Sequence, residues 1–223
     1  MLLNQNTHSF FKSQLQGYVN NRDEGVIKYQ LNLKRAPLSE EKEILQLEKW
    51  RALFFRMGLV GEYLSDGIGY GNLSMRTDPK RNEFIITGSQ TGSLANLQKH
   101  HYTKVLSSDL PKHQITATGL IAPSSESLTH SAIYQANTNI HAIFHIHHNK
   151  LWQKMIDDKM PSINSSVTYG TKEMAEATAA LAKNEVSGIF VMKGHEDGIL
   201  AFGKNTEEAG KIVLDTYRTL LSK

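Results

Sequence analysis

Apolar residues in this chain switch repeatedly between a period of two and a helical period, and that switching limits the fold to the α/β class. Ile27, Tyr29, Leu31 and Leu33 alternate with Lys28, Gln30, Asn32 and Lys34, which marks a strand with one wet face at a sheet edge. Pro37 ends it, and Ser39 is placed to cap a helix whose first turn carries Glu40, Glu41 and Glu43. Ile44, Leu47, Trp50, Phe54 and Met57 give that helix its buried stripe, and Gly58 is its stop. Short strands are expected at 72–76, 84–87, 102–106 and 114–117, set among Gly-rich turns. A helix over 124–137, capped by Ser124 or Ser125, would pack through Leu128, Ala132 and Tyr134. Then come a strand at 142–147, a helix at 171–183 and a strand at 188–192. The last helix is capped by Asn205 or Thr206 and carries Ala209, Ile212, Val213, Tyr217 and Leu220 on one face. The expected organisation is an N-terminal extension (1–37) that starts irregular over 1–24 and ends in the edge strand, followed by one α/β domain (38–223).

Composition narrows the chemistry. The 223 residues include no cysteine, so disulfides and thiolate metal sites are excluded and any metal must be held by histidines and carboxylates. The balance of 25 basic against 22 acidic residues leaves no dense basic stripe with interleaved aromatics, which argues against nucleic acid as a partner. No apolar run approaches a membrane span, and the N-terminus lacks the basic and apolar regions of a signal peptide. The expected location is the cytoplasm.

The strongest chemical signal is AIFHIHH. Residues two apart on a strand point to the same face, so His145 and His147 share one and Phe144 and Ile146 the other. Two imidazoles on a stiff backbone can ligate a metal; they can equally be hydrogen-bonded core groups, and spacing alone does not separate these. His141 and His148 lie on or near the same strand, and only their phase argues against them. His130, inside the preceding helix, is read as a packing or capping group. A catalytic zinc takes three protein ligands and keeps one position open, so a third is sought elsewhere in the chain. His195, directly after the apolar strand GIFVM and beside Gly194, is the candidate.

The second signal is PSSE, Pro123–Glu126, at a helix start. Unpaired N–H groups and the helix dipole favour phosphate there, and two serines add hydroxyls; the plain alternative is an N-cap with an acidic first turn. GIGYG precedes a strand-like NLSMR, which argues against a dinucleotide fingerprint, and ITGSQTG lacks the Lys-Ser/Thr ending of a P-loop.

Taken in order, GNLS, IITGSQTG, PSSE, HIH and GHEDGILAFGKNTEEA resemble the class II aldolase/adducin family over roughly residues 45–215. The resemblance implies a three-layer α/β/α fold around a mainly antiparallel sheet, in a homotetramer with sites near subunit interfaces. It places His145, His147 and His195 on the family's zinc ligands and Glu126 on the acidic residue that acts as a base. Ser124, Ser125 and Asn72 fall on phosphate-binding positions. The following loop is longer than the family's, so Thr87–Gly88 and Thr91–Gly92 compete for one further phosphate contact, with Thr91 and Gly92 preferred.

Two departures stand out. The segment from His147 to Thr171 is short where well-known aldolases carry a longer stretch with a proton-donating tyrosine, and the chain stops at its last helix without a tail that closes over substrate. Tyr70 and Tyr169 are candidates for the acid on residue type alone. The activity implied is a zinc-dependent lyase that cleaves or forms a C–C bond in a small phosphorylated ketose or related hydroxy-carbonyl compound through an enediolate. Two other readings remain. One is a sugar-phosphate dehydratase or epimerase at the same site, although the family's epimerase tends to have Asp where Glu126 stands. The other is a non-catalytic adducin-like module, which the intact histidine triad argues against.

Overall fold

The edge strand forms at Gln30–Arg35 (β1), with every second residue turned to solvent, and it is the outermost strand of a nine-stranded sheet. The computed structural model describes residues 25–221, so the reading of 1–24 as irregular lies outside the described residues. The sheet comprises β1, β4 (Asn72–Arg76), β5 (Phe84–Thr87), β6 (Tyr102–Asp109), β7 (Gln114–Gly119), β8 (Ala142–His147), β9 (Ser162–Ile163), β10 (Gly188–Met192) and β11 (Gly198–Gly203). Its order is β1-β7-β6-β5-β4-β8-β11-β10-β9. β1 with β7 and β9 with β10 are parallel, and every other neighbouring pair is antiparallel. A separate hairpin joins β2 (Gly61–Tyr63) to β3 (Ile68–Tyr70).

Helices cover both faces. On one side α1 (Glu41–Arg56), α3 (Asn149–Asp157) and α5 (Thr206–Leu221) bury Leu47, Trp50, Phe54, Leu151, Met155 and Val213 against Leu73, Phe144, Ile146 and Ile199. On the other, α2 (Ser127–Ala136) and α4 (Lys172–Ala182) bury Leu128, Ile133, Tyr134 and Met174 against Phe84, Ile86, Ile143 and Leu200. Burying each large side chain of this kind contributes roughly 1.5–3 kcal/mol, so both layers are held mainly by these stripes. Among the described residues, no helix is long and apolar enough to cross a membrane.

Several boundaries differ from expectation. α2 begins at Ser127, not Ser124, and neither serine caps it; Glu126 occupies the N-cap position. The reason is tertiary: Ser124 N–H is committed to the Thr87 carbonyl, so Pro123–Glu126 stays a loop. Ser39 does not cap α1, because Glu40 holds that position. Asn205 does cap α5, accepting from Glu208 N–H at 2.8 Å. The stretch after His147 is not a bare connection but contains α3, capped by His148, whose Nδ1 accepts from Leu151 N–H.

His130 is fully buried, hydrogen-bonded through Nδ1 to Ser74 Oγ (2.7 Å), which in turn bonds Tyr134 OH (2.8 Å). Its Nε2 meets no hydrogen-bond partner, and burial pushes the imidazole down to about 3. The unfolded chain therefore binds a proton here below about pH 6.5 that the folded chain refuses until about pH 3. Stability from this group is complete above pH 6.5 and falls as pH drops through that window. Denaturant titrations should find wild type losing about 1.4 kcal/mol per pH unit more than His130→Gln between pH 6 and 4. Equal slopes would mean the imidazole is solvated.

Candidate metal centre

The alternation of β8 does the first part of the construction. Ala142, Phe144 and Ile146 enter the α1/α3/α5 layer, and Ile143 enters the opposite one. His145 and His147 continue along the face of Ile143 toward the end of the strand, both almost fully buried. Neighbouring strands set the rest of that face: Asn72 of β4 and Leu200 of β11 sit opposite His145 in register. His195 comes from the turn between β10 and β11, where its N–H bonds the Met192 carbonyl and its carbonyl accepts from Gly198 N–H. That turn is tied to α3 by Asn149, whose amide donates to Asp197 Oδ1 at 2.8 Å.

The three imidazoles bring one ring nitrogen each within 4.8 Å of one another, and all three residues are buried. His145 and His147 meet Nε2 to Nε2 at 3.0 Å. His145 Nδ1 lies 3.1 Å from the Ile199 carbonyl, which can only accept, so Nδ1 carries the proton and Nε2 presents a lone pair. His147 Nδ1 is bonded to Tyr63 OH at 2.9 Å. Burial, with His195 and then His130 adding to it, holds His145 well below the ordinary imidazole range. A neutral imidazole is the form that ligates. A tetrahedral ion with bonds of about 2.0–2.1 Å separates its ligand nitrogens by about 3.3 Å. The observed span brackets that distance, and the donor set therefore fits a divalent cation.

Glu126, 2% exposed, stands at the start of α2 with Oε1 3.9 Å from His195 Nδ1. Tyr169 packs its ring 4.6 Å from the His195 ring, centroid to centroid, and its hydroxyl donates to Ser125 Oγ at 2.5 Å. A cleft of about 370 Å³, its open mouth included, is lined by Asn72, Gly88, Thr91, Gly92, Ser124, Ser125, Glu126, His145 and Tyr169. The Asn72 amide is buried, with an Oδ1 that meets no hydrogen-bond partner.

The residues singled out in the sequence thus converge, with two distinctions. Thr87 turns its hydroxyl to Leu73 N–H and lines only an adjoining recess of about 200 Å³, which Thr91 and Gly92 share, whereas Gly88, Thr91 and Gly92 all border the main cleft. Thr91 Oγ1 itself donates to the Gly88 carbonyl, and a Cβ on Gly92 would lie 1.9 Å from the Gly61 carbonyl oxygen, so this loop packs directly on the hairpin. Tyr70 borders the smaller recess instead. Its ring packs on Tyr63 (4.5 Å) and His147 (5.5 Å), and its hydroxyl donates to the Gly58 carbonyl at 3.4 Å.

Sequence reasoning missed Tyr63, which orients His147, and Tyr29, whose hydroxyl donates to the carbonyls of Pro123 (3.1 Å) and Ser124 (2.9 Å). The Asp66–Gly67 dipeptide, a common hairpin turn signal, could have revealed the β2–β3 hairpin and hence Tyr63. Nothing local marks Tyr29, because its partners lie more than ninety residues away.

This arrangement of a histidine triad under a glycine-rich cleft coincides with a family match. The profile of the Class II Aldolase and Adducin N-terminal domain matches residues 58–216, and the chain belongs to that family. No curated protein sequence matches it. Solved structures share the fold at low identity. L-fuculose 1-phosphate aldolase is 22% identical over 82% of this chain and 84% of its own, with a TM-score of 0.61. YgbL from Klebsiella pneumoniae, described as a candidate aldolase, epimerase or decarboxylase, is 20% identical over 83% and 91%, with a TM-score of 0.59. A sugar-phosphate aldolase from Thermotoga maritima is 19% identical over 81% and 94%, with a TM-score of 0.56.

Proposed function

We propose that this chain is a metal-dependent lyase of the aldolase type, acting on a small phosphorylated ketose or related hydroxy-carbonyl compound. The carrying observation is that two groups able to move protons, Glu126 and Tyr169, flank the same imidazole, His195, and both line one cleft. His145, His147 and His195 would hold the metal, and the absence of thiols with three imidazole donors favours zinc. When bound, a divalent ion supplies Lewis acidity toward carbonyl and hydroxyl oxygens where enediolate charge develops.

The chain's own groups supply the rest. Glu126 is the base that takes a proton from the substrate hydroxyl or the carbon beside the carbonyl, and its burial keeps water from competing. Tyr169 is the acid, favoured over Tyr70 because its hydroxyl reaches Ser125 in the main cleft. Asn72, Ser124 and Ser125, with Thr91 and Gly92 beyond them, form the phosphate end. The buried Asn72 amide with its unmatched Oδ1 supports a polar ligand there, since such an atom costs about 1–3 kcal/mol unless something bonds it. Phosphate held at that end orients the reacting carbon toward Glu126.

The reading includes a homotetramer in the cytoplasm; family likeness supports the first, and the lack of cysteine agrees with the second. The test is a panel of ketose phosphates given to the zinc-loaded protein. Release of dihydroxyacetone phosphate and an aldehyde is the expected result. A dehydrated product with the carbon chain intact would replace the lyase by a dehydratase, and inversion at one carbon alone would replace it by an epimerase.

A further inference from the structure

Residues 25–29 precede the family-matched region, and nothing in their sequence assigns them a role at the cleft. Yet three of the loops that line the cleft meet this segment. Gly25 borders the cleft itself, in the left-handed conformation (φ +75°), and its carbonyl accepts from the Gln90 side-chain amide at 3.4 Å, which ties the 88–92 loop. Tyr29 ties the 123–126 loop through the two carbonyls already described. Lys28 ties the third loop: its Nζ donates to the Tyr169 carbonyl at 3.1 Å and lies 4.9 Å from the centre of the Tyr169 ring.

From adjacent backbone positions, Lys28 therefore holds the Tyr169 main chain and Tyr29 the two carbonyls just before Ser125, on either side of the Tyr169 OH to Ser125 Oγ hydrogen bond. The strand that follows fixes their own placement, since β1 runs in register along β7 from Gln30 onward. Tyr29 is buried, and burial pushes its phenol up, so the hydroxyl stays protonated and can only act as the donor toward those carbonyls. A trans peptide points its C=O and N–H in opposite directions. Tyr29 holds the Pro123 and Ser124 carbonyls alongside the Ser124 N–H bond to Thr87 and the Ser127 N–H and Oγ bonds to the Ser124 carbonyl, and together these fix the polarity of two successive peptide planes. Neither carbonyl can then rotate to face an anion beside Ser124 and Ser125.

We propose that segment 25–29 is a strap that assembles the cleft, with Tyr29 as the positioning residue for its anion-binding end. This rests on the phosphate end described above. It extends the working site to a part of the chain outside the matched family domain.

The test uses full-length, zinc-loaded protein and inorganic phosphate as the probe, followed by calorimetry, with zinc affinity and thermal melting measured alongside. Tyr29→Phe removes one hydroxyl and keeps the ring. Its phosphate dissociation constant should rise about tenfold, the loss of roughly one hydrogen bond's contribution, with a much smaller change in zinc affinity. Lys28→Met, which keeps the alkyl stem over Tyr169, should weaken phosphate in the same direction and stands in if Tyr29→Phe does not fold. Should both folded variants bind phosphate like wild type, even with lowered melting points, the segment is only structural and the strap is overturned. If wild type itself takes no phosphate, the phosphate end falls and the strap with it. These two failures are distinct results of one titration series.

Discussion

Glu126→Gln is expected to lower turnover about 10²–10⁴-fold while leaving zinc binding within a few-fold. The substitution keeps the size of a side chain that is 2% exposed at the N-cap of α2, and it removes only the ability to take a proton. Its Oε1 lies 3.9 Å from His195 Nδ1, and glutamine keeps an oxygen at the same reach from that imidazole. Turnover can be read as deuterium exchange at the carbon beside the carbonyl of a hydroxyketone phosphate, which isolates proton removal from bond cleavage. A variant that binds zinc and exchanges at the wild-type rate would remove Glu126 from the chemistry.

The second large effect is expected at a glycine. A Cβ on Gly194 would lie 1.8 Å from the Val167 carbonyl oxygen, with the Ser165 carbonyl also close, and those obstacles are backbone. Gly194→Ala must therefore separate the His195 turn from the segment that carries Tyr169. One imidazole moves off the shared point of the triad. Zinc affinity should fall about 10–100-fold, comparable to losing a ligand-orienting contact, while α2 and its Glu126 stay in place. Competition with a chromogenic chelator measures this directly. Unchanged affinity would show that the turn adapts without moving His195.

How much of this was readable in the sequence depended on whether the signal was local. β8 could be read because Phe144 and Ile146 face one helix layer while His145 and His147 face the other, which preserves the alternation. β11 could not be, although it lies beside β8, because GILAFG is buried along its whole length and carries no period of two. α3 carries no start signal for a different reason: its cap is His148, not one of the usual Ser, Thr, Asp or Asn residues. The late start of α2 follows from bonds to Thr87 and Tyr29, far away in sequence, so no cap signal could have set it.

The site shows the same division. The triad, Glu126, Asn72 and the serines came from motif order, and the fold brings all of them to one cleft or its edge. Residue type alone does not distinguish Tyr169 from Tyr70, and only the packed structure separates them, with Tyr169 lining the main cleft and Tyr70 the smaller recess. The supporting contacts were invisible: Tyr63 on His147, the Ile199 carbonyl on His145, and the strap at 25–29. Each depends on a partner distant in sequence. Such contacts orient ligands and loops without belonging to any motif.

Anomalous diffraction at the zinc edge, from crystals of the zinc-loaded chain, tests the central claim most directly. One peak is predicted, about 2.0–2.1 Å from a ring nitrogen of each of His145, His147 and His195, with one coordination position left toward the cleft. Zinc found elsewhere, or a triad with no peak in protein carrying a full equivalent of zinc, would contradict it.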